Sequence, residues 1–97
     1  MTAAGPHERV VVHVSGRVQG VGYRFFARSE ARRHDLVGWV RNDPDGSVSV
    51  VAEGPRGGLE SFVNSLREGP PGSRVRDISI SWEPPDERFT DFRVRYM

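Results

Sequence analysis

Arg9 to His34 reads RVVVHVSGRVQGVGYRFFARSEARRH, and a change of period inside this stretch decides the fold. In the run from Arg9 to Ser15, rich in β-branched residues, Val10, Val12 and Val14 share one face and His13 turns to the other, which predicts a strand. Past Gly22 the spacing changes. Tyr23, Phe26, Ala27 and Ala31 recur at helical intervals while Arg28, Arg32 and Arg33 face solvent, so a helix is expected to about His34. Gly16, Gly20 and Gly22 punctuate the connection between the two. The unit is strand, glycine loop, helix.

Working outward, Leu36 to Arg41 reads as a second strand running into Asn42-Asp43-Pro44-Asp45-Gly46. Proline presets φ and glycine accepts a positive φ, so Pro-Asp-Gly between two apolar runs predicts a turn. Ser47 to Glu53 is then the third strand, and Pro55 suits the first turn of a second helix. Leu59, Phe62, Val63 and Leu66 form that helix's buried stripe, and Gly69-Pro70-Pro71 stops it. Ile78, Ile80 and Trp82 alternate in a fourth strand ended by Pro84 and Pro85. Phe92, Val94 and Tyr96 alternate with a solvated Arg93 and Arg95 in a last one. Trp39 and Trp82 are expected in the core or at its edge. The order predicts an α+β, ferredoxin-like α/β sandwich, βαββαβ plus a short fifth strand, with an antiparallel sheet carrying both helices on one face. Residues 1–7 are expected to be a flexible lead and 8–97 a single domain. Many functions use that topology, so function must come from a site.

Composition removes several chemistries. The chain has 97 residues with a net charge of +1, and all 14 of its basic residues are arginine. A chain without lysine forms no Schiff base and has no P-loop lysine. It also lacks cysteine, and with it thiol nucleophiles, disulfides and zinc–thiolate sites. The near-balance of charge argues against a nucleic-acid binder held by phosphate neutralisation. No apolar run approaches the roughly 18 residues of a membrane span. Met1 to Glu8 carries neither the basic start nor the apolar stretch of a signal peptide. A cytoplasmic monomer without membrane or nucleic-acid partners is therefore expected. His7, His13 and His34 are separated and lack ligand spacing, so no metal is expected. Asp43-x-Asp45-Gly46 lacks the further acidic positions of a calcium loop and reads as a hairpin turn.

The segment with chemical content is Gly16-Arg17-Val18-Gln19-Gly20-Val21-Gly22-Tyr23-Arg24. Glycines let successive N–H groups converge, and a helix N-terminus adds partial positive charge at the same place. Together they suit an anion. Arg24, in the helix's first turn, opposes the dipole unless an anion is bound, and its fork matches two phosphate oxygens. The same spacing also fits a plain glycine-rich turn with a solvated arginine. It is not a Walker loop, since lysine and the following hydroxyl are missing, nor a dinucleotide fingerprint, since Phe25 stands where the third glycine belongs.

The string GRVQGVGYR resembles the signature of the acylphosphatases, and so do Gly38-Trp39-Val40-Arg41-Asn42 before the Asp45-Gly46 turn and the ending Asp91-Phe92-Arg93-Val94-Arg95-Tyr96. The resemblance runs from about Glu8 to Tyr96. It implies hydrolysis of acyl phosphates, small or protein-borne, to a carboxylate and inorganic phosphate by direct water attack, with no cofactor. It also implies a phosphate cradle on the backbone of Gly16, Arg17, Val18, Gln19, Gly20, Val21, Gly22 and Tyr23, with Arg24 and Asn42 as catalytic residues. The residue inventory is compatible: a carboxylate leaves readily, its conjugate acid having a pKa of about 4, so no general acid is needed. Gly22 and Tyr23 replace a larger residue and Phe of some members. Asp43 replaces a frequent Thr, and puts a carboxylate beside the implied site, where it would weaken phosphate binding or shift the pH dependence.

Two other readings compete. One is a catalytically weak phosphate- or carbamoyl-phosphate-binding regulatory module on the same scaffold, which retention of both Arg24 and Asn42 disfavours. The other is an RNA-recognition module of similar topology, which the lack of aromatics in the first and third strands disfavours.

Overall fold

In a computed structural model, residues 7–96 are described. They form β1 (His7–Arg17), α1 (Tyr23–Arg33), β2 (Val37–Asn42), β3 (Val48–Pro55), α2 (Arg56–Glu68), β4 (Arg74–Glu83) and β5 (Phe92–Arg95). Of the lead expected over 1–7, residues 1–6 lie outside the described residues and His7 opens β1.

The strands lie in the order β4-β1-β3-β2-β5. β1 pairs antiparallel with both β3 and β4, and β2 antiparallel with β3. β5 adds alongside β2 in parallel, so the expected antiparallel sheet carries one parallel edge. Alternation follows the pleat. Val10, Val12, Val14, Val40, Val48, Val50 and Ala52 are fully buried on one face, where Ala27 and Ala31 of α1 and Leu59, Phe62 and Leu66 of α2 close over them. Each such valine, leucine or phenylalanine stabilises the fold by about 1.5–3 kcal/mol relative to exposure. Phe62 meets Phe92 edge-on, centroids 5.8 Å apart, which pins β5 to the core.

Two local features differ from the sequence expectation, the extent of β1 and the place of Tyr96, while β4 follows it. β1 runs on through Gly16 and Arg17, which pair with Val75 and Arg74 after a register shift at Ser15/Gly16. Ile78, Ile80 and Trp82 are half-buried, since β4 is an edge strand; the Trp82 ring is covered by the Arg56 guanidinium 3.6 Å from its centroid. Tyr96 is not part of the last strand. Pairing ends at Arg41–Arg95, because β2 turns into its hairpin one residue later, and the Tyr96 side chain is 68% exposed.

Among the described residues, no helix covers the other sheet face, and it holds one buried charge. Glu53, 2% exposed, accepts from Arg9 Nε at 2.8 Å and from the main-chain N–H groups of Asp86 and Glu87 at 3.1 and 3.0 Å. A buried carboxylate is tolerable when its lone pairs are met in this way. It ties the β4–β5 connection to the middle of the sheet. Gly38 shows another constraint: at φ 142° an added Cβ would lie 1.9 Å from the Val51 carbonyl oxygen.

Candidate active site

The register decides which residues meet. Val14 pairs with Val48, and Val48 with Asn42, so Asn42 lies on the helix-facing side of the sheet at the end where β1 feeds the glycine loop. There Val18, Gly20, Gly22, Tyr23, Arg24, Phe25 and Asn42 line a cavity of about 80 Å³. A hollow of this size admits a small tetrahedral oxyanion. Larger hollows of about 430 and 610 Å³ lie elsewhere, lined by neither Asn42 nor the glycines of this loop's tip.

The loop's amides are uncommitted. None of the main-chain N–H groups from Gln19 through Phe25 donates to another group among the described residues; the first α1 bond is Phe26 N–H to the Gly22 carbonyl, at 3.0 Å. Gly20 and Gly22 have φ of 75° and 78°, a left-handed conformation that other side chains rarely adopt. Gly22 is the N-cap of α1, with no side-chain cap and no acidic residue in the first turn. A helix start normally finds acceptors for its first four donors in a cap, water or a ligand. Here they border a cavity.

Arg24 lines that cavity and, among the described residues, pairs with no carboxylate. Its guanidinium stacks on the Tyr96 ring, 4.8 Å from the centroid. Asn42 Oδ1 is buried without a hydrogen-bond partner among the described residues. An orphaned buried acceptor costs about 1–3 kcal/mol. The arrangement therefore presents donors and a cation for an oxyanion, next to one acceptor for an incoming O–H.

Of the residues expected in the cradle, Val18, Gly20, Gly22, Tyr23 and Arg24 line the cavity with Asn42. Gly16 and Arg17 do not, because the strand continues through them; they border a separate hollow with Arg74, Val75 and Arg76. Val21 packs against the core. The Tyr23 ring is buried and its hydroxyl donates to the Leu66 carbonyl at 2.6 Å, so it offers the site its backbone and anchors α1 to α2. Burial pushes this phenol above the ordinary tyrosine pKa.

Gln19 contributes its side chain. Its Nε2 donates to the carbonyls of Asp43 and Ser47, both at 2.9 Å, clamping the loop to the β2–β3 hairpin that carries Asn42. Asp43 turns away from the cavity. Its carboxylate accepts from Ser49 Oγ at 2.5 Å, Ser47 Oγ at 3.0 Å and Arg41 Nε at 3.2 Å, and Ser49 also bonds His13 Nδ1 at 2.9 Å. Asp43 thus braces the hairpin on the open face, its charge compensated by Arg41. Asp45 accepts from the Ser47 hydroxyl and amide, which hold its pKa below the usual carboxylate value. Phe25 and Tyr96 were not singled out in the sequence as site residues. Phe25 directly after Arg24, at an exposed helical position, was the available signal for the first.

Among the described residues no group of three or more His, Cys, Asp and Glu side chains is placed to hold a metal ion, and no helix is long and apolar enough to cross a membrane.

Fold and site together define a ferredoxin-like α+β domain with uncommitted main-chain amides around a small cavity at a helix N-terminus. The sequence model of the acylphosphatase family matches residues 10–94. An acylphosphatase of Salinibacter ruber is 48% identical over 91 residues, covering 94% of this chain and 96% of that protein. The crystal structure of the Bacillus subtilis acylphosphatase superposes with a TM-score of 0.89 at 43% identity, covering 92% of this chain and 99% of that one. The structure of an acylphosphatase from Coxiella burnetii gives a TM-score of 0.88 at 38% identity, covering 98% of this chain and 100% of that one. The chain belongs to the acylphosphatase family.

Proposed function

We propose that this chain hydrolyses acyl phosphates by direct in-line attack of a water held by Asn42, with the phosphoryl group bound by the Gln19–Phe25 amides and Arg24. The observation that supports the reading is that one cavity of about 80 Å³ is lined by Gly20, Gly22, Tyr23, Arg24, Phe25 and Asn42, where, among the described residues, these loop amides have no acceptor, the Arg24 guanidinium pairs with no carboxylate and Asn42 Oδ1 has no partner.

Charge on the three non-bridging oxygens is met by preorganised donors, which cost no reorganisation as the transition state forms. Asn42 Oδ1 accepts one O–H of the water and aims its lone pair at phosphorus. The new P–O bond forms as the P–O bond to the acyl group breaks, and the electron pair departs on a carboxylate. The water's remaining proton passes to a phosphoryl oxygen. Because the leaving group is weakly basic, neither a general acid nor a metal is required to stabilise it.

The test is turnover of benzoyl phosphate by wild type, Arg24→Ala and Asn42→Ala, with and without EDTA. Arg24→Ala is expected to lose both turnover and inhibition by inorganic phosphate. Asn42→Ala should lose about 100-fold or more in kcat, as for a missing transition-state partner, while phosphate inhibition persists and EDTA changes nothing. Equal loss of both properties at Asn42 rejects the water-holding role.

A further inference from the structure

Among the described residues the exposed large hydrophobic side chains are Phe25, at 50%, and Tyr96, at 68%. Both adjoin Arg24. Phe25 follows it in α1 and lines the phosphate-sized cavity, and Tyr96 stacks against its guanidinium. Single exposed apolar residues are ordinary, but here both of the large ones neighbour one site arginine. Arg28 stacks on Phe25, 5.1 Å from the ring centroid, so both rings are backed by cations.

The geometry points to an acyl subsite: Phe25 and Tyr96 hold the organic half of the substrate and select acyl phosphates with an aromatic or bulky apolar acyl group over small ones. This rests on the acyl-phosphate reading above. A cavity of about 80 Å³ that takes the phosphoryl group leaves little space for a bulky acyl group, which then reaches the mouth. Phe25 is part of that mouth, and an aryl ring there covers apolar surface now facing water and gains the ring–ring term of an aromatic pair. An acetyl group covers little of it. Arg24 and Arg28 make the same surface unfavourable to an acyl group bearing a positive charge.

Phe25 suits a clean test, since it faces solvent on a helix and alanine is the best helix former there. The readout is the ratio of kcat/KM for benzoyl phosphate to that for acetyl phosphate, which cancels the intrinsic reactivity of each ester when a variant is divided by wild type. Phe25→Ala is expected to lower this ratio about five- to tenfold, Phe25→Leu by less, with inhibition by inorganic phosphate unchanged in both. Tyr96→Leu lowers the ratio in the same direction. Equal losses for the two esters in Phe25→Ala, or no change in either, overturn the subsite.

A binding measurement separates this from the chemistry. Benzylphosphonate should protect wild type against thermal unfolding at lower concentration than methylphosphonate, and Phe25→Ala should erase the difference. If wild type turns over neither ester yet keeps that preference, the subsite stands and the acyl-phosphate reading falls. No preference between the phosphonates removes the subsite even if both esters are hydrolysed.

Discussion

Replacing Gln19 with methionine keeps the length of the side chain and deletes the group that joins the loop to the hairpin. Nε2 spans the Asp43 and Ser47 carbonyls at 2.9 Å each, in a partly buried position. Each neutral hydrogen bond contributes about 1 kcal/mol net, so the variant should lose about 2 kcal/mol. At 4–8 °C per kcal/mol for a domain of this size, the melting temperature should fall by about 8–16 °C. The hairpin keeps its own bonds, among them Asp43 N–H to the Ser47 carbonyl at 2.8 Å, so it persists but is no longer registered against the loop.

The kinetic consequence is selective. In the proposed mechanism Arg24 and the loop amides bind phosphate without Asn42, whereas water placement needs it, and a displacement of about 1 Å costs on the order of 100-fold in rate. Gln19→Met should therefore lower kcat by about 10- to 100-fold and leave the inhibition constant of inorganic phosphate within about threefold. Steady-state kinetics at a temperature well below the variant's melting point would measure both. A phosphate inhibition constant that worsens as much as kcat falls would refute the reasoning, because Gln19 would then be shaping the cradle itself.

Other perturbations read out the scaffold. Glu53→Ala leaves Arg9 its Asp86 partner at 2.8 Å but removes the acceptor of Arg9 Nε and of the Asp86 and Glu87 amides, a loss of about 2–4 kcal/mol; urea unfolding should show it, with the connection before β5 becoming a site of proteolysis. Gly38→Ala should fail to fold to the native state, since its Cβ has no room beside the Val51 carbonyl; soluble, cooperatively unfolding protein would contradict the packing. Tyr23 gives a pH signature. Its phenol pKa is raised in the folded state, so its contribution is complete below the unfolded value of about 10 and lost as pH rises beyond it, by at most about 1.4 kcal/mol per pH unit. Unfolding measured from pH 8 to 11.5 should show this alkaline decline in wild type and a shallower one in Tyr23→Phe.

Much of this was legible because burial imposes a period. The valines of β1 and the Leu59, Phe62, Val63, Leu66 stripe declare their elements without help from elsewhere in the chain. The parallel placement of β5 was not legible, because a four-residue strand takes its partner from distant contacts: Phe92 on Phe62, and Gly38 N–H to the Asp91 carbonyl at 2.9 Å. At the site, the family resemblance points to Arg24 and Asn42, and the fold brings them to one cavity. The Gln19 clamp was hidden, since a glutamine in a loop does not reveal which carbonyls it reaches. Asp43 was the reverse case. Its carboxylate looks disruptive one residue from Asn42, but neighbours in a strand point to opposite faces, so Ser47, Ser49 and Arg41 receive it instead.

That alternation is what the chemistry rests on. Arg41, Asn42 and Asp43 are consecutive, yet only Asn42 shares a face with Val14 and Val48 and so reaches the glycine loop. A slip of one residue between β2 and β3 would send Asn42 to the open face and offer the cavity Arg41 or Asp43 in its place. The fold resists it on both sides. Val40 and Val50 would surrender full burial, and Gly38, the one residue able to approach Val51 so closely, would move off that contact. A core built from unremarkable valines therefore sets the position of a single carboxamide, and the hairpin beyond it needs only the Gln19 clamp to hold that carboxamide against the loop.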